Sequence, residues 1–300
     1  MNELPLDVLA VYAAIAVWLI LAIVDFKKQS YTASMLMGIG LVLALNVRYL
    51  FEGAADGIAF FVSLYDVFDN LGLAPGESAP ALTTCPDNAC SVWGERYLNH
   101  PSWGVAFHDR FLNGSAFRSN LLYTHLIFNT IVFVLMHYQI ARPGTGSHQV
   151  LHRHLGRFSF VCLSIATVCA IWLASSHGPV GEYGGALSQY GFYSMSFFVY
   201  GCAVMGVIAI RGGDASAHRI WMIRFAGSMW GAFLIYRLLL FVTGPLLRDY
   251  ESASFLISTW FSAPLGILIA EALRRRLDRH AGEIRSNQLG AGVEARGQLS

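Results

Sequence analysis

Residues 118–157 read RSNLLYTHLIFNTIVFVLMHYQIARPGTGSHQVLHRHLGR, an apolar run followed by a short segment rich in arginine and histidine. A helix needs about 20 mostly apolar residues to cross the hydrocarbon core of a bilayer, and residues 118–141 provide them. Arginine and lysine are enriched in the cytoplasmic loops of membrane proteins. The stretch therefore predicts a transmembrane helix whose C-terminal end lies on the cytoplasmic side.

The composition of the whole chain agrees with a membrane protein. Of the 300 residues, 55% are hydrophobic and only 13% are charged, and the mean hydropathy is +0.49, which is too apolar for a soluble fold. Seven stretches are long enough to span a bilayer: about residues 6–25, 35–52, 118–141, 158–175, 190–210, 220–244 and 254–273. We predict an all-α, polytopic bundle of about seven transmembrane helices in the cell (inner) membrane, with the lipid bilayer as its first partner.

The distribution of basic residues predicts the orientation of the chain. Fourteen of the twenty lysines and arginines lie in or at the edge of four alternate gaps between the apolar stretches, against five in or at the edge of the other gaps and one, Arg237, deep inside a stretch. This positive-inside bias places the N-terminus outside and the C-terminus in the cytoplasm. Residues 1–7 contain no lysine or arginine, unlike the start of a signal peptide, so we expect the first helix to be retained. The net charge of +1 excludes nucleic acid as a partner.

The apolar pattern divides the chain into five parts. Residues 1–52 are two N-terminal helices, 53–117 an outer segment with an amphipathic helix over 57–72 and a cap loop, 118–245 the core domain, 246–281 the last helix with its basic anchor, and 282–300 a tail. The tail is poor in apolar residues, which predicts disorder. Within the core, Gly227 and Gly231 form a small-xxx-small pattern that predicts close contact with another helix.

Two cysteines lie close together in the outer segment. Cys85 and Cys90 predict a disulfide bond, since the outer side of a bacterial envelope is oxidising. The alternative is a metal site, which lacks a second close cysteine pair to complete a tetrahedral zinc centre. The other three cysteines fall in apolar stretches, where we expect them to pack as small apolar side chains.

Histidines on the apolar stretches point to a haem protein. His125 and His137 lie on one predicted helix, about 18 Å apart at 1.5 Å per residue, as two stacked haems would require of their axial ligands. Twelve residues turn a helix by about 120° beyond whole turns, so the partners must come from different helices. These are His177 for His125, and His218 or His152 for His137. The alternative is that these histidines are hydrogen-bonded near helix ends.

The densest histidine cluster lies in the cytoplasmic segment 142–157. His148 and His152 are four residues apart and His154 follows, so on a helix the first two share a face, a spacing that a metal ion can use. A histidine-box oxygenase takes its iron ligands from several histidine clusters, whereas this sequence contains one dense cluster. This metal site is a third hypothesis.

Arginines on the cytoplasmic side suit an anionic ligand. Arg153, Arg157, Arg219 and Arg224 come to one membrane face, and guanidinium groups bind haem propionates, lipid headgroups or an anionic substrate. The alternative is ordinary positive-inside anchoring. Arg237 differs because it lies inside a predicted helix, where a charge costs roughly 2.5–3.5 kcal/mol. We expect Arg237 to face the interior of the bundle.

Three motifs carry a resemblance to a known family. They are His-Arg-x-x-Gly-Arg at 152–157, His-Arg-x-Trp-Met-x-Arg at 218–224, and the later Arg237. They resemble a widespread family of predicted polytopic membrane proteins whose domain has no assigned function. The similar part covers roughly residues 118–245, and His154 stands where the family pattern favours a bulky aromatic residue. The resemblance implies an architecture and no reaction. A likeness to two-haem membrane cytochromes is carried by the helix-borne histidines alone.

These observations lead to three hypotheses. The first is a haem-b-binding redox protein that carries electrons within or across the membrane, with quinone or other membrane subunits as partners and Arg153, Arg157 and Arg237 offsetting propionate charge. The second is non-enzymatic and needs no cofactor: a membrane scaffold, assembly factor or carrier whose cytoplasmic arginines bind anionic lipid or a small anion. The third is a metal-dependent oxidoreductase at His148, His152 and His154.

Overall fold

The computed structural model describes residues 6–28, 31–47, 50, 116–142, 148–175, 185–247 and 251–297. Three predictions from the sequence lie outside these residues: the amphipathic helix over 57–72 with its cap loop, the disulfide between Cys85 and Cys90, and the haem ligand His177. They stay predictions.

The described residues form helices and short turns, and no strand occurs among them. The helices are α1 (Leu6–Lys28), α2 (Thr32–Val47), α3 (Ala116–Ala141), α4 (Gln149–Ser175), α5 (Gly185–Arg211), α6 (Ala215–Trp230), α7 (Tyr236–Leu246) and α8 (Glu251–Gly297). A π-helical turn, Gly231–Ile235, joins α6 to α7 without a break. We call α6, the π turn and α7 together the central rod.

Six helical segments within the described residues are long and apolar enough to cross a membrane: Leu9–Lys28, Ala116–Ala141, Gln149–Ser175, Ala186–Arg211, Ala215–Leu240 and Ala253–Arg279. The apolar part of α2, Thr32–Asn46, is shorter. Ile20, Val168, Phe197 and Leu268 are more than half exposed, as expected of surfaces that face lipid. The predicted all-α, polytopic membrane fold is confirmed, whereas its inside–outside orientation stays a prediction.

One end of the bundle is basic. Lys27 and Lys28 lie in the last turn of α1, Arg211 ends α5, and Arg142 directly follows α3. The helices α4 and α6 begin at this end. We call it the basic end, and it is the side that the sequence predicts to be cytoplasmic.

The N-terminal helices α1 and α2 form a hairpin that turns at the basic end. Asp25 is buried, and its Oδ2 accepts the backbone N–H of Ser34 at 2.8 Å, which satisfies a donor in the first turn of α2. The indole Nε1–H of Trp18 donates to the carbonyl of Ser34 at 2.9 Å. The guanidinium of Arg276 on α8 lies 3.6 Å from the centroid of the Phe26 ring. These contacts hold the hairpin together and against α8.

The core lies around the central rod, where α6 packs against α5 and α8 while α3 packs against α4. Its largest fully buried side chains are Phe133, Leu163, Met229 and Leu234. Cys162, Cys169 and Cys202 are buried and free, and the first and last of them belong to this core. The prediction that they pack as small apolar side chains is confirmed.

Glycines bring the central rod and α8 into backbone contact. A Cβ atom on Gly227 would meet the carbonyl oxygen of Gly266, and one on Gly231 would meet the carbonyl oxygen of Ser262. Both approaches are closer than real Cβ atoms make, so a side chain here would force the helices apart. The predicted small-xxx-small contact is confirmed, and its partner is α8.

The last helix continues to Gly297, through residues 282–297 for which the low apolar content predicts disorder. The segment contains two alanines, two glutamates, two arginines, one glutamine and one leucine, which favour helix intrinsically, and four glycines, which disfavour it. Helix propensity alone therefore does not explain why the helix continues here. Pro264 lies inside the same helix and lacks the N–H that would bond to the carbonyl of Trp260.

Replacing Gly231 or Gly266 by alanine should lower the melting temperature in detergent, because overpacking of this kind costs about 1–3 kcal/mol. Gly201→Ala on α5 is the matched control, since a Cβ there meets no atom of the described residues within 4 Å. In that helix alanine should be neutral or stabilising by about 0.5–1 kcal/mol. Thermal unfolding followed by circular dichroism measures all three. If Gly231→Ala and Gly266→Ala melted at the same temperature as Gly201→Ala, the backbone contact between the central rod and α8 would be contradicted.

Candidate functional site

A π-helical turn lies directly before the buried Arg237. The backbone N–H of Tyr236 donates to the carbonyl of Gly231, five residues earlier, where an α-helix would use four. The extra residue redirects the following side chains by about 100° round the axis. Such π turns inside α-helices are frequent at functional sites. The turn therefore makes this part of the central rod a candidate functional site.

The Arg237 guanidinium begins a chain of hydrogen bonds that crosses three helices. Its Nη1 donates to the carbonyl of Phe233 at 2.6 Å, and its Nη2 donates to Oδ1 of Asn46 on α2 at 2.8 Å. Asn46 Nδ2 donates to Oγ1 of Thr130 on α3 at 2.9 Å, and Thr130 donates in turn to the carbonyl of Leu126 at 2.7 Å. Because arginine only donates, the direction of each bond is set. The prediction that Arg237 faces the interior is confirmed by its burial.

His125 lies beside this chain and is engaged at both ring nitrogens. Its Nδ1 is 3.0 Å from the carbonyl oxygen of Ala166 on α4, and Nδ2 of Asn129 is 3.1 Å from Nδ1 and 3.2 Å from Nε2. The contacts with both residues are satisfied when Nδ1–H donates to Ala166 and Nε2 accepts from Asn129. Arg237 is near enough to interact electrostatically with the ring.

His137 is held in the same way, one level nearer the basic end. Its Nδ1 is 2.7 Å from the carbonyl oxygen of Phe133, and Nε1–H of Trp230 donates to its Nε2 at 3.0 Å. The second bond leaves Nδ1 as the protonated nitrogen. Trp18 of α1 stacks on Trp230, with ring centroids 6.4 Å apart and an interplanar angle of 10°.

These bonds bear directly on the haem ligands predicted from the sequence. A haem iron takes the lone pair of an imidazole nitrogen, and at His125 and His137 that lone pair accepts a hydrogen bond from the protein. The pair His137–His218 has a second difficulty. His137 contacts Trp230, and His218 precedes Trp230 by twelve residues, about 18 Å along the rod. His137 and His218 are therefore too far apart along the rod to bind the same iron.

A different pair of histidines, His152 and His218, lies at the basic end. They lie in the first turns of α4 and α6, both at the basic end, and near enough to interact electrostatically. His218 Nδ1 is 2.8 Å from the carbonyl oxygen of Gly206, so Nδ1–H donates and Nε2 carries the lone pair. The backbone of Arg142 lies beside His152, whereas the buried Nδ1 of His152 has no hydrogen-bond partner among the described residues. A buried nitrogen in that state calls for an explanation.

Carboxylates on α8 bind several arginines of the basic end. In the described part of the chain these are Arg219, Arg224, Arg274 and Arg275. Glu271 pairs with three of them, including Arg224 of α6 at 3.5 Å. Asp278 pairs with Arg219 of α6 at 3.4 Å and with Arg274. Arg219 and Arg224, predicted as anion ligands, therefore tie α6 to α8.

The other predicted site residues of α4 lie at its surface. Arg153, Arg157, His148 and His154 are exposed, and His152 is half-buried. Within the described ranges no group of three or more histidine, cysteine, aspartate or glutamate side chains is placed to hold a metal ion. The structure thus does not gather His148, His152 and His154 into a metal site.

Sequence reasoning missed the pairing of His152 with His218 and the contacts of Asn46, Trp230 and Glu271. A signal for the pair was present, because a His-Arg dipeptide opens both α4 and α6 and both helices start at the same membrane side. For Asn46 and Glu271 no signal was available. Each is a polar residue near the end of an apolar stretch, and its partner lies on a helix remote in sequence.

The fold and these clusters define a polytopic membrane protein with ionisable side chains inside its helix bundle. A family model described as a predicted membrane protein (DUF2306) matches residues 122–273, and the chain belongs to this family. The match runs from α3 into α8 and includes His152, His218 and Arg237, whereas α1 and α2 precede it. No curated protein and no solved structure matches the chain. The resemblance to a family of membrane proteins without an assigned function is confirmed.

Asn46→Ala should lower the free energy of unfolding by about 1.5–3 kcal/mol, the usual contribution of a hydrogen bond to a charged group. In a double-mutant cycle with Arg237→Met, the two changes should couple by about 0.5–3 kcal/mol. Thr124→Ala provides the control cycle, since Thr124 bonds to Asn120 within α3 itself. Unfolding of each variant in mixed detergent micelles gives the energies. An Asn46–Arg237 coupling as small as that of Thr124 with Arg237 would refute the chain of hydrogen bonds.

Proposed function

We propose that the protein is a haem-b-binding membrane redox protein whose haem iron is held at the basic end by His152 and His218. The observation that carries this proposal is the pair itself. Two imidazoles on different helices lie at the same end of the bundle, near enough to interact electrostatically, and the Nδ1 of His152 is buried without a hydrogen-bond partner among the described residues. A coordinated iron would explain that nitrogen.

The backbone orients both rings as metal-binding imidazoles are oriented in other proteins. Such histidines nearly always donate their second ring nitrogen to a carbonyl, a carboxylate or water, which fixes the ring and leaves the other lone pair to the metal. His218 has the carbonyl of Gly206 for this purpose, at 2.8 Å, and the backbone of Arg142 lies beside His152. Gly206 lies on α5 and allows α6 to approach that helix closely, because a Cβ atom on residue 206 would collide with Sδ of Met222 on α6.

The number of ligands favours haem over a bare metal ion. A porphyrin fills four positions of its iron and needs axial ligands alone from the protein, whereas a zinc site needs three or four protein ligands. The described residues offer two imidazoles here and no larger cluster. A bound haem b would supply one-electron transfer, with a quinone or another membrane subunit as the exchange partner.

The sequence predicts that Arg153, Arg157 and Arg237 offset the charge of the haem propionates, and the proposed position of the haem alters that prediction. Arg237 follows His218 by nineteen residues on the central rod, about 28 Å away at 1.5 Å per residue, so it does not serve this site. Arg153 and Arg157 are exposed on α4, whereas His152 on the same helix turns its Nδ1 into the protein.

The competing function is a scaffold, assembly factor or carrier that binds anionic lipid or a small anion without a cofactor. Two observations favour it: the exposure of Arg153 and Arg157, and the burial of Arg237. It gives no account of the buried His152 nitrogen that has no hydrogen-bond partner among the described residues, which is why we place it second.

A reduced-minus-oxidised visible spectrum of the protein, purified in mild detergent from haem-supplied cells, tests the proposal. We expect a b-type α-band and a shifted Soret band. His152→Ala and His218→Ala should each abolish the α-band, and added imidazole should restore it in part by filling the vacated ligand position. His154→Ala is the matched control, because His154 is exposed on the same helix two residues away, and its spectrum should be unchanged.

A featureless spectrum from folded, haem-supplied protein would rule out the haem site and favour the competing function. Size-exclusion chromatography of each variant shows whether the fold is kept. An α-band that survives both His152→Ala and His218→Ala would refute this pair as the haem ligands and favour His125 and His137 instead.

A further inference from the structure

Arg153 and Arg157 lie one helical turn apart at the exposed start of α4. Each residue turns a helix by about 100°, so these arginines lie about 100° and 140° round the helix from His152. Their face is therefore not the one that presents His152 to the bundle. What they bind is a question independent of the proposed haem site.

The exposed arginines of the basic end differ in their partners. Arg219 and Arg275 have 68% and 67% of their side chains exposed, yet each pairs with a carboxylate of α8. Arg153 and Arg157 pair with no carboxylate in the described part of the chain. Exposure alone does not separate the two groups, whereas the presence of an internal counter-charge does. The α4 pair thus offers two exposed guanidinium groups, one helical turn apart, with no carboxylate partner among the described residues.

An apolar strip continues from these arginines along α4. Val161, Val168 and Trp172 are 56%, 63% and 56% exposed, and all three lie within about 60° of Arg157 round the helix. From Arg157 to Val168 the helix rises about 16 Å, which is close to half of the roughly 30 Å hydrocarbon thickness of a bilayer. The strip is therefore long enough to accompany one acyl chain through one leaflet.

We infer that this face of α4 is a binding site for an anionic phospholipid, with the headgroup phosphate on Arg153 and Arg157 and an acyl chain along Val161 and Val168. Guanidinium groups bind phosphate oxygens with paired, charge-assisted hydrogen bonds, and two of them one turn apart address the same headgroup. A free phosphate ion would gain nothing from the apolar strip. The charge and the strip together therefore select a lipid.

The test uses the full-length protein reconstituted into nanodiscs of phosphatidylcholine with a minority of phosphatidylglycerol. Native mass spectrometry counts the phosphatidylglycerol retained after release from the disc. Each basic residue near an anionic surface contributes about 1 kcal/mol, so Arg153→Gln with Arg157→Gln should reduce the preference for phosphatidylglycerol about thirtyfold. Inorganic phosphate added in excess should not displace the lipid.

The control is the double variant Arg219→Gln with Arg275→Gln, which removes the same charge from side chains that are also exposed but are already paired with carboxylates. Its preference for phosphatidylglycerol should stay within a few-fold of that of the parent protein. An equal loss in both double variants would mean general attraction by net charge and overturn the site. Unchanged retention in the α4 variant, or displacement by free phosphate, would overturn it as well.

Discussion

The burial of Arg237 determines how the centre of this bundle is built. A charge at this depth costs roughly 2.5–3.5 kcal/mol on the insertion scale, and the chain meets that cost with oxygen atoms from the π turn and from α2. Since Asn46 presents its oxygen to the guanidinium, its amide nitrogen must donate elsewhere, and Thr130 of α3 accepts that bond. One guanidinium therefore sets the relative positions of three helices. Asn46 lies before the family match at 122–273, so the N-terminal hairpin completes the polar centre of the family domain.

The central rod has to meet two different surfaces, which accounts for its π turn. On one side, Gly227 and Gly231 allow backbone contact with α8. On the other, Trp230 reaches His137 and Arg237 reaches Asn46. In an uninterrupted α-helix, residues seven apart point within about 20° of each other, so Trp230 and Arg237 would compete for one neighbour. The π turn lies between them and separates their directions. The glycine pattern could be predicted because it needs one helix alone, whereas the π turn follows from packing on both sides and leaves no pattern in the sequence.

The membrane fold was predictable to a larger extent than the candidate site. Apolar runs of sufficient length require helices, because every backbone polar group must find its partner inside the segment. Which side of each helix contacts which neighbour could not be predicted in this way. His125 and His137 suggested two haem levels because they share α3, yet Asn129 and Trp230 occupy their ring nitrogens. Which histidines meet across helices depends on the rotation and depth of each helix, and apolar run length fixes neither. For His152 and His218 the repeated His-Arg dipeptide was a usable clue, since it marks the same helix position on the same membrane side.

The arginines of the basic end show why a count of charges does not identify a site. The positive-inside rule treats each cytoplasmic arginine alike, but Arg219 and Arg224 face α8 and its carboxylates, whereas Arg153 and Arg157 are exposed on α4. The paired arginines then act as links between helices, and their charge is partly cancelled by Glu271 and Asp278. No carboxylate in the described part of the chain cancels the charge of the α4 arginines in this way. The start of this helix thus has two faces with different chemistry: His152 directs its nitrogen into the bundle, and the arginines are exposed on the other face. A substitution on one face should leave the other intact, because about 100° or more of helix surface separates them.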